Sequence, residues 1–339
     1  MKKYFKENIF YQGDSKIVLP LILIYIIAFI VNYLKINEYF KFNIVNRLYK
    51  DFIILNIVSA FDIFFFTLYL GIIYIITSGL FKRKKWTTFL SMPYSKLDIR
   101  KREFFILFIS FIIYISIFLL MILKGCIQFY EVISYLDKFY RIIIIEAVRL
   151  VSIGLLILSL ICIVDTIFSS IYYIIGGCLA ILIYSIFFIL NFEYILRAEV
   201  IYKLNLINLL NIIYDYTLGG FREFRLYEVF IIASIFLIIS IVLIYISKRL
   251  TNKMMVENMN EGILFSFPKK IAKFILLTLP GLIIALFLSE FIYTYNDYNY
   301  NYYILILVRL IIIVISSFII KYVIKNIKKE SENKSKIYY

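Results

Sequence analysis

The sequence predicts an all-α membrane protein that crosses the bilayer eight times. Hydrophobic residues make up 63% of its 339 residues, and its mean hydropathy is +0.92. Soluble chains are close to half apolar, and a chain of this length cannot hide so large an apolar fraction from water. The apolar residues also run on continuously for about 20 positions at a time, which is the length of a membrane-spanning helix. A membrane β-barrel is disfavoured, because its strands alternate apolar and polar residues.

Eight such stretches follow one another along the chain. Each is expected to be a helix, because a backbone inside lipid has to satisfy its own hydrogen bonds. The second stretch is longer than a bilayer requires, which predicts tilt or an extension beyond the lipid. Only Asp165 and Thr166 separate the fourth and fifth stretches, and this pair is expected to form a tight turn that caps the fifth helix. The predicted spans are Ile17–Leu34, Phe52–Phe81, Phe104–Leu123, Ile142–Val164, Ile167–Leu190, Leu226–Ile246, Phe274–Tyr293 and Tyr303–Val323.

The distribution of lysine and arginine predicts that both ends of the chain face the cytoplasm. With that orientation the inner segments carry 24 basic residues and the outer loops carry 11. Lysine and arginine are enriched in cytoplasmic loops, so the net charge of +15 is explained by membrane topology, and nucleic acid is not an expected partner. We therefore expect a multi-pass protein embedded in the lipid bilayer of the cytoplasmic membrane.

Motifs for the common catalytic and metal sites are missing from the sequence. It contains no histidine, and Cys126, Cys162 and Cys178 do not have the spacing of metal ligands. The phosphate-binding pattern G-x-x-x-x-G-K-[ST], the hydrolase pattern G-x-S-x-G and the zinc pattern H-E-x-x-H are all absent. We expect no catalytic residue, metal or cofactor in this chain.

The segment from Lys82 to Arg102, between spans two and three, carries the most specific local pattern. It contains eight basic residues. Trp86, Phe89 and Leu90 are spaced as the apolar face of a short helix, and Pro93 ends that helix.

A second helix is expected to begin directly after that proline. Ser95 followed three residues later by Asp98 resembles a capping box, and the helix it starts leads into span three. An apolar helical face beside the charges of Lys84, Lys85 and Lys96 is typical of a helix that enters a groove in another protein. The segment is therefore predicted to dock a partner on the cytoplasmic face. The alternative is a purely topological anchor.

The stretch FLSMPYSKLDIRKREFF, which begins at Phe89, resembles the region after the second span of ABC-2-type transporter permeases. That region commonly reads leucine-proline, an aliphatic or aromatic residue, serine, a basic residue, then an acidic and an aliphatic residue. The family usually has a lysine four residues later, where this chain has Glu103 preceded by Lys101 and Arg102. The matching positions are Met92, Pro93, Tyr94, Ser95, Lys96, Asp98 and Ile99.

The resemblance implies the role of a permease subunit. In the family this loop forms the coupling helix that contacts a separate ABC ATPase subunit, which holds the ATP and Mg. It also implies a second permease chain, identical or related, and export of an amphiphile such as a peptide antibiotic or a lipid. The implied organisation is a six-helix core over residues 1–248, two additional helices over 249–325 and a polar basic tail over 326–339.

Five ionisable residues are predicted to lie inside spans, where a charge is costly and marks either a functional site or a packing contact. Asp62 is expected about ten residues, roughly 15 Å, below the outer end of span two. Glu146 and Arg149 are three residues apart and are expected to pair. Arg309 and Glu290 are expected to meet if the last two helices are neighbours.

Three further features are predicted from composition. Gly176, Gly177 and Ala180 form a small-residue stripe suited to helix packing, within the chain or in a dimer. The loop Asn191–Arg225 is expected to hold an interfacial or re-entrant helix. The charged tail from Lys325 onward is expected to be disordered.

Two other functions are consistent with the sequence. A stand-alone ion-coupled carrier would use Asp62, Glu146 and Arg149 as a relay. A membrane-embedded enzyme acting on lipid would depend on acidic residues of the outer loops, such as Glu193 and Glu199.

Overall fold

A computed structural model describes residues 15–44, 57–79, 95–134, 139–195, 212–217, 225–254, 261–295 and 302–337. Within these ranges there is no β-strand, and eight helices are long and apolar enough to cross a membrane. The predicted all-α architecture with eight spans is confirmed. The helices are α1 Ser15–Glu38, α2 Ala60–Tyr74, α3 Lys96–Gln128, α4 Phe139–Ile167, α5 Ile171–Ile195, α6 Leu226–Lys253, α7 Ser266–Tyr295 and α8 Tyr302–Ile337.

These helices belong to two compact units. The first unit contains α1 to α4, α6 and the short helical segment 212–217. The second contains nearly all of α5 together with α7 and α8. Helix α5 thus belongs to the same compact unit as α7 and α8, whereas the sequence predicted it as part of a core formed by the first six helices. The division at residue 248 stays a prediction.

Aromatic side chains fill the core of the first unit. The rings of Phe66 in α2 and Tyr114 in α3 stack with their centroids 4.3 Å apart. Gly154 of α4 lies against Phe66 and against Phe111 of α3, since a Cβ added to it would come within 2.4 Å of Phe66 and 2.6 Å of Phe111. Only a residue without a side chain allows the backbone of α4 to approach α2 and α3 so closely.

The core of the second unit lies between α7 and α8. Leu282, Ala285 and Ile313 are buried there. A Cβ on Gly281 would lie 3.1 Å from the backbone of Ile313 and 2.4 Å from the hydroxyl oxygen of Ser316. Helices α7 and α8 are therefore direct neighbours, as the proposed pairing of Arg309 with Glu290 required.

Two helices end in a wider, π-helical turn. The chain continues from α1 into the π-helix Tyr39–Ile44 and from α2 into the π-helix Ile75–Gly79. In the second of these the Thr77 hydroxyl donates to the carbonyl oxygen of Ile73 at 2.7 Å. In a π-helix the backbone hydrogen bonds join residues five positions apart, whereas in an α-helix they join residues four positions apart.

The predicted turn at Asp165 and Thr166 is wrong. Helix α4 continues through Ile167, and α5 begins only at Ile171. The hydroxyl of Thr166 donates to the carbonyl of Cys162 four residues earlier, which is compatible with a helix that continues. Both residues are buried in the first unit, so they cannot form an exposed turn.

The predicted disorder of the charged tail is also wrong. The backbone of α8 is helical from Tyr302 to Ile337. No glycine or proline occurs after Gly281 to stop it. Glutamates at 330 and 332 stand four residues before lysines at 334 and 336, a spacing that favours a helix.

Candidate functional site

The start of α3 is capped as the sequence predicts. Ser95 is the N-cap residue, and its hydroxyl accepts from the backbone N–H of Asp98 at 3.2 Å and donates to the Asp98 carboxylate at 2.6 Å. Lys96 donates to the carbonyl oxygen of Met254, directly after α6. The first turn of α3 is therefore attached to the end of α6. The other residues predicted for docking lie outside the described residues: Lys84, Lys85, Trp86, Phe89, Leu90 and Pro93.

One turn further along α3, Arg100 lies in the interior of the first unit and is only 9% exposed. Its Nη1 donates to the carboxylate of Asp165 near the end of α4. Its Nη2 donates to the Thr166 hydroxyl at 2.7 Å and to the carbonyl of Cys162. Charge-assisted hydrogen bonds of this kind are stronger than neutral ones, so Arg100 ties α3 firmly to α4.

Groups from two more helices complete this arrangement. The hydroxyl of Tyr74, the last residue of α2, donates to the Asp165 carboxylate. The hydroxyl oxygens of Ser247 in α6 and Thr166 are 2.8 Å apart, and Glu103 lies 3.3 Å from Arg100. The ends of α2, α4 and α6 therefore meet the beginning of α3. We call this group the Arg100 cluster: Tyr74, Arg100, Glu103, Asp165, Thr166 and Ser247.

The Arg100 cluster was not predicted from the sequence. Arg100 was counted as one of many topological cations, and Asp165 was assigned to a turn. The sequence does contain one indication of the cluster, because Asp165 is an acidic residue in the last turn of an apolar helix. A carboxylate buried there needs a polar or charged partner. Local spacing in the sequence does not identify that partner, because Arg100 and Asp165 are 65 positions apart.

At the opposite end of α4 the predicted pairing of Glu146 and Arg149 is confirmed. Arg149 Nη1 and Glu146 Oε1 are 2.9 Å apart, and the side chain of each is 2% exposed. Arg149 Nη2 also donates to the carbonyl oxygen of Val58, just before α2, at 2.6 Å. This pair therefore joins α4 to the beginning of α2.

The segment 212–217 is joined to the same part of α4. The hydroxyl of Tyr216 lies 2.7 Å from that of Ser152, which in turn donates to the carbonyl of Arg149 at 2.9 Å. Burial raises the pKa of Tyr216 above its ordinary value.

Asp62 lies elsewhere than predicted. Helix α2 begins at Ala60, so Asp62 is in its first turn and not about ten residues inside the span. Its carboxylate accepts from the backbone N–H of Ser59 at 2.6 Å and forms an ion pair with Lys35 of α1. A carboxylate in the first turn stabilises a helix. The residue is thus explained as a helix cap and a tie to α1.

Arg309 is held by oxygen atoms of the second unit. Its Nε donates to the Ser289 hydroxyl at 2.9 Å, and its Nη1 donates to the carbonyl of Asn191 at 2.8 Å. Asn191 itself donates to the carbonyl of Leu282 at 3.0 Å. The proposed contact with Glu290 stays a prediction, because the side chain of that residue lies outside the described ones.

The small-residue stripe of α5 makes no close contact at Gly176. A Cβ added there would meet nothing within 4 Å in the part of the chain that the structure describes. Packing through Gly176, Gly177 and Ala180 therefore stays a prediction, with a second chain as the possibility that the sequence analysis left open.

The described side chains are arranged to hold helices together. Among them no three histidine, cysteine or acidic residues lie close enough to hold a metal ion. A small cleft lies beside the Arg100 cluster, lined by Tyr74, Arg100 and Asp165 among others. These three side chains are joined through the Asp165 carboxylate, so the cluster acts as a joint between helices.

Comparison with protein-family models, with curated proteins and with solved structures finds no match for this chain.

Proposed function

We propose that the chain is the transmembrane subunit of an ATP-binding-cassette exporter, which moves an amphiphilic substrate across the cytoplasmic membrane. A separate ATPase subunit docks on the segment between α2 and α3 and supplies the energy. The observation that carries this proposal is the attachment of the start of α3. In the second half of the basic segment, Ser95 caps the helix, Lys96 binds the end of α6 and Arg100 binds α4.

This attachment supports a mechanical role for the segment. A loop that only sets topology needs charge, and a few mobile lysines provide it. Here the helix that leaves the loop is bound to two other helices by a charged side chain each, and Asp165 also binds the end of α2 through Tyr74. A partner that displaces the loop therefore acts on four helices of the first unit at once.

The source of energy is assigned to the partner. The chain has no phosphate-binding loop of its own, so ATP and Mg belong in the ATPase subunit. A second permease chain, identical or related, completes the exporter. The eight apolar helices provide the membrane part of such an assembly.

Docking is tested by co-expression with the ABC ATPase encoded nearest to this chain in its genome. The wild-type pair should copurify in detergent. Reversing Lys84, Lys85 and Lys96 to glutamate together with Trp86→Ala should abolish the complex, because the variant loses both charge and the apolar contact. The matched control reverses three lysines of α8, at positions 321, 325 and 328. An ATPase that copurifies equally with both variants would refute docking on this segment.

Export is tested in a strain that lacks the chain. We expect increased sensitivity to at least one compound in a panel of membrane-active peptide antibiotics and lipid-like detergents. Wild-type protein should restore resistance, whereas the docking variant should not, although both reach the membrane. Resistance restored equally by the docking variant would favour a carrier that works without the ATPase.

A further inference from the structure

The Arg100 cluster has a role that the docking proposal does not contain. We propose that the ion pair between Arg100 and Asp165 transmits movement from the docking segment to α4, so that Arg100 is a positioning residue of the transport cycle. The inference rests on the proposed function. It adds the path by which an event on the cytoplasmic face reaches the opposite end of the bundle.

The pair occupies the ends of two helices. Arg100 lies five residues after the N-cap of α3, and Asp165 lies two residues before the end of α4. The pair therefore joins the helix that leaves the docking segment to the end of the helix whose other end carries Glu146 and Arg149. No other ion pair between α3 and α4 occurs among the residues that the structure describes.

Separating Arg100 from Asp165 is energetically costly. Asp165 is 1% exposed, and Arg100 is 9% exposed. If α3 moved and α4 stayed, a buried carboxylate would lose its guanidinium partner, and an unpaired buried charge is far less favourable than a paired one. The two helix ends therefore move together, or the pair opens in one discrete step.

Hydrogen bonds hold the guanidinium of Arg100 in one orientation. One guanidinium nitrogen binds Asp165, while the other binds Thr166 and the carbonyl of Cys162. A planar group held along two edges cannot rotate freely about its own axis. Lysine at this position provides one point of attachment, so Arg100→Lys should keep the pair but weaken transmission.

The experiment has to distinguish a loss of transmitted movement from a loss of protein stability. Replacing both partners with apolar residues, Arg100→Met with Asp165→Leu, removes both charges of the pair, and such replacements commonly preserve stability. Glu103, which also contacts Arg100, has a side chain that is 13% exposed and still reaches solvent. The Cys162 carbonyl still accepts from the hydroxyls of Thr166 and Ser247. The double variant should therefore fold and bind the ATPase subunit.

Movement is read at the far end of α4. Tyr140, in its first turn, is 62% exposed and lies about 37 Å along the helix from Asp165. Tyr140→Cys is labelled with an environment-sensitive fluorophore in a background with alanine at the two accessible native cysteines, Cys126 and Cys178. The complex with the ATPase is reconstituted in nanodiscs, and emission is recorded before and after ATP.

In the chain with Arg100 and Asp165 intact, ATP should change the emission. The double variant should bind the ATPase and keep its melting temperature but lose that change, and Arg100→Lys should reduce it. Lys248→Gln, which changes an exposed cation of α6 outside the docking segment, should respond as the intact chain does. An equal response in the double variant, or no response in the intact complex, overturns this inference alone. Failure of the intact chain to bind any ATPase overturns the proposed function as well.

Discussion

Arg100 and Asp165 are 65 positions apart in the chain, and the guanidinium of the first donates directly to the carboxylate of the second. The contact joins the beginning of α3 to the end of α4 inside the first unit. It explains why this cation of the basic segment is buried while its neighbour Lys101 is exposed.

Gly154 should be one of the least tolerant positions of the first unit. Gly154→Ala places a methyl group where the rings of Phe66 and Phe111 already lie. Overpacking of this kind costs about 1–3 kcal/mol, so the melting temperature of the purified protein in detergent should fall. Gly71→Ala in α2 is the matched control, since an added Cβ meets nothing within 4 Å there. Equal stability of the two variants would contradict the close contact of α4 with α2 and α3.

The buried pair of Glu146 and Arg149 should show strong energetic coupling. Arg149→Leu leaves the Glu146 carboxylate buried without its guanidinium, and breaking a buried pair in this way costs about 3–5 kcal/mol. The double replacement of both residues by leucine should be more stable than Arg149→Leu alone. Thermal unfolding of the two single variants and the double variant gives the coupling free energy.

Replacing an exposed charge provides the control for these stability measurements. Lys248→Leu in α6 removes a cation that faces outward, and the melting temperature should change little. A coupling free energy near zero for Glu146 and Arg149 would show that the pair contributes nothing to the stability of the first unit.

The cap of α3 should stabilise its first turn locally. Ser95→Ala removes the hydroxyl that accepts from the Asp98 N–H, and loss of an N-cap costs about 1 kcal/mol. Hydrogen exchange at the amides of residues 96–98 should accelerate, while exchange in the middle of α3 should not. Ser95→Asn, which retains a capping side chain, should exchange as the wild type does. Unchanged exchange in Ser95→Ala would show that other contacts hold this turn.

Orientation in the membrane is tested with single cysteines at the two ends of the first unit. A membrane-impermeant maleimide added to intact cells should label Tyr140→Cys and not Lys101→Cys, because the basic segments are expected inside. Both positions should react after the cells are broken. Labelling in the reverse order would invert the predicted topology and remove the docking segment from the cytoplasm.

Much of the fold followed from local patterns. The eight spans are continuous apolar runs, and lipid leaves a helix as the structure available to them. The cap at Ser95 and the pairing of Glu146 with Arg149 also depend on residues only three positions apart. Such features are set by neighbours in the sequence, so spacing alone identifies them.

Two kinds of feature were not predicted correctly from the sequence. One is a side chain whose partner is distant in the chain, and the other is a helix end that does not coincide with the end of an apolar run. Asp62 was placed too deep because apolar residues continue before Ala60, where the helix begins. Asp165 was predicted to lie in a turn because a charged residue normally marks the end of a membrane span. Its partners Arg100 and Tyr74 come from other helices, and no local pattern specifies them.

The π-helical end of α2 holds one residue more than an α-helical end with the same number of turns. Deleting one residue between Ile75 and Gly79 should therefore let the turn tighten into an α-helical one without changing the direction in which the chain leaves it. An added residue would instead turn that exit by about 100°, the angle of one α-helical residue. Natural variants of this protein should accordingly tolerate the loss of one residue from this stretch better than the gain of one.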